Sequence, residues 1–146
     1  MSWREKAVEE ALTWKGTPHR HEAMVKGAGI DCARLLIVAY EAAGVLPVGA
    51  CRPPHYPHDY QLHSNPKYLE WVQKYCDKTD EDPLPGDIAV FNFGRGPSHG
   101  GIVLAWPKII HAYVGMGVIV SDINEAILCK KNGESRLVGI YRYRGG

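Results

Sequence analysis

Apolar positions recur at helical spacing in the first half of the chain and in short β-rich blocks in the second. Trp3, Ala7, Ala11 and Trp14 fall on one face of a first helix. Ser2 and Glu5 stand at capping-box spacing at its start, and Gly16 and Pro18 end it. Residues 16–31 hold three glycines around a charged middle and read as a loop. Asp31 suits the N-cap of a second helix whose apolar face is Cys32, Leu35, Leu36, Ala39, Tyr40 and Ala43. Gly44 suits the position past its end, and Pro47 blocks continuation. Residues 48–65, "VGACRPPHYPHDYQLHSN", read as an irregular surface loop. Asn65-Pro66 then reads as a cap and first-turn proline, with Leu69, Val72 and Cys76 on the buried side of a third helix. The acidic "DKTDEDPLPGD" reads as a linker ending in a turn.

Beyond it the pattern changes. "DIAVFNF" (87–93), "HGGIVLA" (99–105), "KIIHAYV" (108–114), "GVIVSDI" (117–123) and "RLVGIYRY" (136–143) predict five strands, with room for one helical turn in 124–133. Helices first and an antiparallel meander second predict an α+β domain. With no internal repeat and 146 residues, the expectation is a single domain over 1–146.

Composition narrows the function classes. Hydrophobic residues make up 45% and charged residues 23%, as in an ordinary globule, and the net charge of +1 lacks the basic footprint of a nucleic-acid binder. The charged start "MSWREKAVEEALTW" has no apolar core of a signal peptide, and no apolar run approaches a membrane span. The expectation is synthesis in the cytoplasm. Cys32, Cys51, Cys76 and Cys129 form no CxxC pair, which argues against a zinc ribbon or a dense disulfide framework. His19, His21, His55, His58 and His63 have no regular ligand spacing, so neither a metal nor another cofactor is expected.

The candidate chemistry starts at Cys32. A thiol in the first turn of a helix meets unpaired N–H groups and a partial positive charge, which stabilise a thiolate and an oxyanion. Taken alone, Cys32 reads first as a small core residue on the apolar face. A nucleophile needs a base, and the base an orienting group. His99, at the mouth of a strand, and His111, in the middle of the next, can fill those roles; each alone also reads as an ordinary residue, His99 as an exposed turn histidine and His111 as a hydrogen-bonded core histidine. Ladder geometry separates them, however. A tight hairpin at Trp106-Pro107 sets His99 opposite residue 114 or 115, so the two rings meet only with strong twist or a bulge at Gly100-Gly101.

"GIDCARLLIVAYEAAG", "PGDIAVFNF", "SHGGIVLA" and "IIHAYVGMGVIVSD", in that order, resemble the NlpC-like cysteine peptidases, papain-like enzymes of bacterial cell-wall turnover. The resemblance covers roughly residues 10 to 143. It implies a papain-like fold with N-terminal helices packed on an antiparallel sheet of about five strands. It implies Cys32 as nucleophile, His99 as base, His111 as the group orienting His99, and the Cys32 backbone N–H in the oxyanion hole. Asp31, Ser98, His19 and Arg34 are the neighbouring candidates for substrate or oxyanion contacts. The implied substrate is the stem peptide of peptidoglycan, cut without a metal. The strand end "FNFGR" and the closing "LVGIYRYRG" are similar to compact forms encoded by phages and prophages, which implies tail proteins as partners and action at the cell wall.

Two positions depart from the family pattern. His19, in "TPHRH", stands where a tyrosine is usual; it reads as a hydrogen-bond donor to the reacting carbonyl or as an exposed loop residue. Arg34 stands where glycine is usual, and reads as a carboxylate-binding or cleft-narrowing cation or as a solvated side chain. The loop holding His55, Tyr56, His58 and Tyr60 reads as a polar connection or a cover for the cleft. Cys51, Cys76 and Cys129 read as structural.

Overall fold

The computed structural model describes residues 1–51, 67–94 and 96–145, without the Lys67 side chain. The expected cap at Asn65-Pro66 and the histidines of the 55–63 loop lie outside the described residues. The elements run α1 (Trp3–Thr13), β1 (Met24–Val25), β2 (Gly29–Ile30), α2 (Cys32–Ala42), α3 (Lys67–Gln73), β3 (Cys76–Thr79), β4 (Ile88–Phe93), β5 (Gly96–Ala105), β6 (Lys108–Tyr113), β7 (Gly117–Asp122) and β8 (Leu137–Tyr143). A single 3₁₀ turn at Ala126–Leu128 occupies the segment expected to hold one helical turn. The architecture is α+β: among the described residues, three α-helices and an antiparallel sheet of six strands ordered β3-β8-β4-β5-β6-β7, with β1 and β2 as a separate ribbon.

The sixth strand corrects the sequence reading. Cys76 leaves the third helix and opens β3, paired with Tyr143 on β8. The cause is tertiary. The Arg144 guanidinium donates to the carbonyls of Gln73, Lys74 and Cys76 at 2.6, 2.7 and 3.2 Å, satisfying the orphan acceptors where α3 stops. "CDKT" has no β-branched run to mark it, and it is a strand because β8 offers an unpaired edge. The β1–β2 ribbon in the 16–31 loop, set by Met24↔Ile30 and Val25↔Gly29, was likewise not expected.

Helix α2 is the centre of the fold. Cys32, Ala33, Leu35, Leu36, Ile37, Ala39 and Tyr40 are all buried, so its apolar surface exceeds one stripe and is covered on several sides. Helix α1 is held at its start by the reciprocal Ser2–Glu5 capping box and brings its fully buried alanines, Ala7 and Ala11, into the same core. Trp3, Tyr40 and Tyr143 meet edge-to-face at 5.6–5.9 Å, joining α1, α2 and β8. A second, smaller core gathers Ala89, Phe91, Val103, Ile109, Leu128 and Ile140. The central strands therefore alternate between two cores, as Ile102 and Ile110 belong to the first and Val103 and Ile109 to the second.

Asp87, in the "PGD" turn, ties the layers together. It is fully buried and receives Arg4 from α1 at 2.8 Å, Arg142 from β8 at 2.9 Å, and the Leu84 N–H at 2.9 Å. Burial opposes its charge, but the bonds from Arg142, Leu84 and Arg4 prevail and hold its pKa below the ordinary carboxylate value. One residue earlier, the Gly86 carbonyl accepts the Tyr40 hydroxyl at 2.6 Å. Asp87→Ala removes the acceptor on which two cations converge. The expected loss is about 3 kcal/mol of unfolding free energy, read from urea denaturation at pH 7; a change below about 0.5 kcal/mol would show that the layers hold without this node.

Candidate active site

Cys32 occupies the first position of α2, and the helix start is built around Asp31. One Asp31 oxygen accepts the Arg34 N–H at 2.9 Å as the N-cap. The other accepts the Glu22 N–H at 2.8 Å and the Arg34 guanidinium at 2.8 Å. Asp31 is 1% exposed. Its carboxylate therefore holds the helix start against the preceding loop. Arg34, with its side chain 14% exposed, folds back on Asp31 instead of extending into solvent, the outcome that neither sequence reading anticipated.

His19 is placed by backbone bonds. Gly16 donates to Val118 O at 3.0 Å and Val118 to Thr17 O at 2.9 Å, which lays this segment against β7. Ile30 donates to Pro18 O and Arg20 to Ile30 O, at 3.0 and 3.1 Å, so His19 bridges Ile30 two positions before Cys32. His19 is half-buried, and its charge acts on His99. This places it at the site and not at an exposed loop tip.

His99 and His111 meet directly. His99 Nε2 and His111 Nδ1 are 2.7 Å apart. The bulge that permits this is not at Gly100-Gly101, where pairing with β4 is regular. It lies nearer the turn, where Ala105↔Lys108 is followed by Val103↔Ile109 and Leu104 is the extra residue. Unbroken pairing from Ala105↔Lys108 would set His99 opposite Val114 and put His111 on the other face of the sheet. The extra residue shifts the ladder, so that His111 faces Gly101 and shares a face with His99 two residues along. Diagonal neighbours of this kind are within reach of ring side chains. Gly101 is needed there: a Cβ on it would lie 2.8 Å from Ile110 O and 3.0 Å from His111 Cβ.

A second bulge, between Phe91↔His99 and Asn92↔Pro97, leaves Ser98 unpaired on β5. The Ser98 hydroxyl donates to Phe93 O at 3.1 Å. Its carbonyl lies 3.9 Å from Cys32 Sγ. The thiol thus sits against the residue immediately before His99. Phe93 and Tyr113 stand edge-on to the His99 ring at 5.3 and 5.8 Å. Cys32 is 2% exposed, His99 5% and His111 0%.

The sequence reading did not include Ser121 on β7. Its hydroxyl is 2.9 Å from His111 Nε2, and it is 1% exposed. The only signal was a hydroxyl inside the apolar "VIVSDI", and without the β6–β7 register nothing linked it to His111. Registered as Ile109↔Ser121 and His111↔Ile119, the two become diagonal neighbours on one face.

Burial, with added repulsion from His111 and His19, pushes the His99 imidazole well below its ordinary range. Burial pushes His111 down to about 4. Both rings are therefore neutral at pH 7. One nitrogen of His99 is committed to His111, which leaves Nδ1 as its second, chemically available atom.

Both shifts are downward from about 6.5, so below that pH the unfolded chain binds more protons than the folded one. Stability is complete above that pH and declines as the pH falls toward 4, by about 3 kcal/mol for His111. Denaturation midpoints between pH 7 and 4.5 should fall, and His111→Gln should flatten the decline; parallel profiles would contradict neutral burial. Gly101→Ala should separate β5 from β6 and break the ring-to-ring contact, seen as loss of coupled imidazole NMR signals while the fold persists.

The family model described as "NlpC/P60 family" matches residues 13–136. Among solved structures, NlpC1 from Trichomonas vaginalis is 22% identical with a TM-score of 0.61, covering 96% of this chain and 44% of its own. The chain thus spans less than half the length of that protein. The NlpC/p60 domain of the peptidoglycan hydrolase SagA is 19% identical with a TM-score of 0.56, covering 82% and 89%. RipD from Mycobacterium tuberculosis, described as a non-catalytic NlpC/p60 domain protein adapted to peptidoglycan binding, is 15% identical with a TM-score of 0.60, covering 99% and 98%. No curated protein matches the sequence. With the match spanning most of the chain and the same fold in these structures, the protein belongs to the NlpC/P60 family.

Proposed function

We propose that this protein is a cysteine peptidase that hydrolyses peptide bonds in the stem peptides of peptidoglycan. The observation that carries the reading is the 2.7 Å contact between His99 and His111, adjoining a thiol at the start of a buried helix. In this reading His99 Nδ1 takes the Cys32 thiol proton, and the sulfur electron pair attacks the scissile carbonyl. The tetrahedral oxyanion is stabilised at the start of α2, by the Cys32 N–H and the partial positive charge of the helix N-terminus. The proton on His99 then passes to the leaving amine as the C–N bond breaks and a thioester remains. Water, deprotonated by His99, hydrolyses the thioester. His111 holds the His99 ring through Nε2, and Asp31 with Arg34 keeps the helix start in place.

The strand end "FNFGR" and the closing "LVGIYRYRG" support extending the proposal to a phage-type tail or prophage component acting at the cell wall. A second reading is a non-catalytic wall-binding or assembly module. It is favoured by His19 in the tyrosine position and by the non-catalytic neighbour RipD.

Mass spectrometry of muropeptides after incubation with purified peptidoglycan separates the two readings. Hydrolysis should create new amine ends, and Cys32→Ala should reduce the rate by at least about a thousandfold. Peptidoglycan that sediments the protein yet stays intact would establish the binding module instead.

A further inference from the structure

We infer that Ser121 is a positioning residue for the reaction proposed above: its hydroxyl accepts a hydrogen bond from His111 and so sets which nitrogen of His99 is left bare toward the thiol. The inference rests on the peptidase reading for its kinetic consequence, but its structural content stands apart from it.

Three side chains from three neighbouring strands form a line. His99 Nε2 is 2.7 Å from His111 Nδ1, and His111 Nε2 is 2.9 Å from Ser121 Oγ. All three residues are buried. A neutral imidazole has one donor nitrogen and one acceptor nitrogen, so the line has two self-consistent proton arrangements. In the first, Ser121 donates to His111 Nε2, His111 donates from Nδ1 to His99 Nε2, and the His99 proton sits on Nδ1. That ring cannot accept a proton from Cys32 at Nδ1. In the second every bond is reversed: His99 donates from Nε2, His111 donates from Nε2, and Ser121 accepts. His99 Nδ1 then carries a lone pair.

Only the second arrangement is a base, and only it survives the proton transfer. When the Cys32 S–H bond breaks and the proton moves to His99 Nδ1, the new imidazolium donates from Nε2 to His111 Nδ1. That leaves His111 its Nε2–H, which requires an acceptor at Ser121. The bond becomes charge-assisted at the moment the thiolate attacks. A hydroxyl suits the position because it has two lone pairs and accepts without adding charge.

The surroundings make this acceptor consequential. Among the described residues, the titratable groups facing His99 are His111 and Tyr113 from β6 and His19 from the segment ahead of β1, with Cys32 of α2 against the carbonyl of the preceding Ser98. Those around His111 are His99 from β5 and Tyr113 from its own strand. Among the described residues no carboxylate hydrogen-bonds either ring, so Ser121 stands at the end of the line where a counter-charge is absent. Burial pushes both rings toward neutrality, and the catalytic step must charge one of them.

The test combines imidazole ¹⁵N–¹H long-range NMR with kinetics on a soluble stem-peptide substrate. In the wild-type protein at pH 7 the proton of His111 should reside on Nε2 and that of His99 on Nε2. Ser121→Ala should mix the His111 tautomers and lower kcat/KM about tenfold or more, mainly through kcat. The acidic limb of the pH profile should move to lower pH, because the charged pair loses its acceptor. Ser121→Thr, which keeps the hydroxyl, should restore tautomer and rate. A wild-type His111 protonated on Nδ1 overturns the proposal without any variant. So does a Ser121→Ala protein with unchanged tautomers and rate. Correct tautomers in a wild-type protein that cleaves nothing would instead overturn the peptidase reading and leave the positioning role intact.

Discussion

One unpaired residue in a strand governs the site. Leu104 interrupts the β5–β6 ladder, and a shift of one residue exchanges the two faces of a strand. Without it His99 and His111 would point into different cores. With it they share a face, and the glycine opposite His111 lets the strands approach until ring nitrogens meet at 2.7 Å. The contact to Ser121 extends the same line, because β6 and β7 pair without interruption and carry the face onward. The arrangement thus arises from backbone register, before any side-chain preference enters.

The other half of the site depends on a carboxylate. Asp31 caps α2, accepts a backbone N–H from the preceding loop, and holds the Arg34 guanidinium. These bonds fix where the first turn of α2 begins, and so where Cys32 stands relative to β5. Arg34 in place of the family's usual glycine is absorbed by this network, so its charge is met locally. His19 is brought in by a separate device, the bridge to Ile30, and contributes repulsion to a buried ring where a tyrosine would contribute a hydroxyl. Burial keeps the histidines uncharged in the resting state. In the proposed reaction, polar groups along the line accept charge only when it forms.

Much of this was legible from the chain. The capping box at Ser2 and Glu5, the Asp31 cap, the buried face of α2 and the strands that became β4 to β8 follow from local rules, which act between residues a few positions apart. The order of motifs around Cys32, His99 and His111 pointed to the family that the comparison then showed. The misses have a common cause. β3 exists because β8 has a free edge and Arg144 ends α3. The β1–β2 ribbon, the position of the bulge, the Asp31–Arg34 pair and the Ser121 contact all join segments that the sequence separates or leaves free to choose among partners.

The sequence by itself therefore determined the first two helices and the strands β4 to β8, and its order of motifs singled out three side chains as candidates. Those properties are set by periodicity, capping and residue type. The tertiary structure alone decided that the rings meet, because strand register depends on where a ladder breaks. It alone decided that a serine from a third strand completes the line, because diagonal contacts exist only after pairing. It also decided the protonation of the site, since a histidine's charge follows from its burial, and burial belongs to the whole fold.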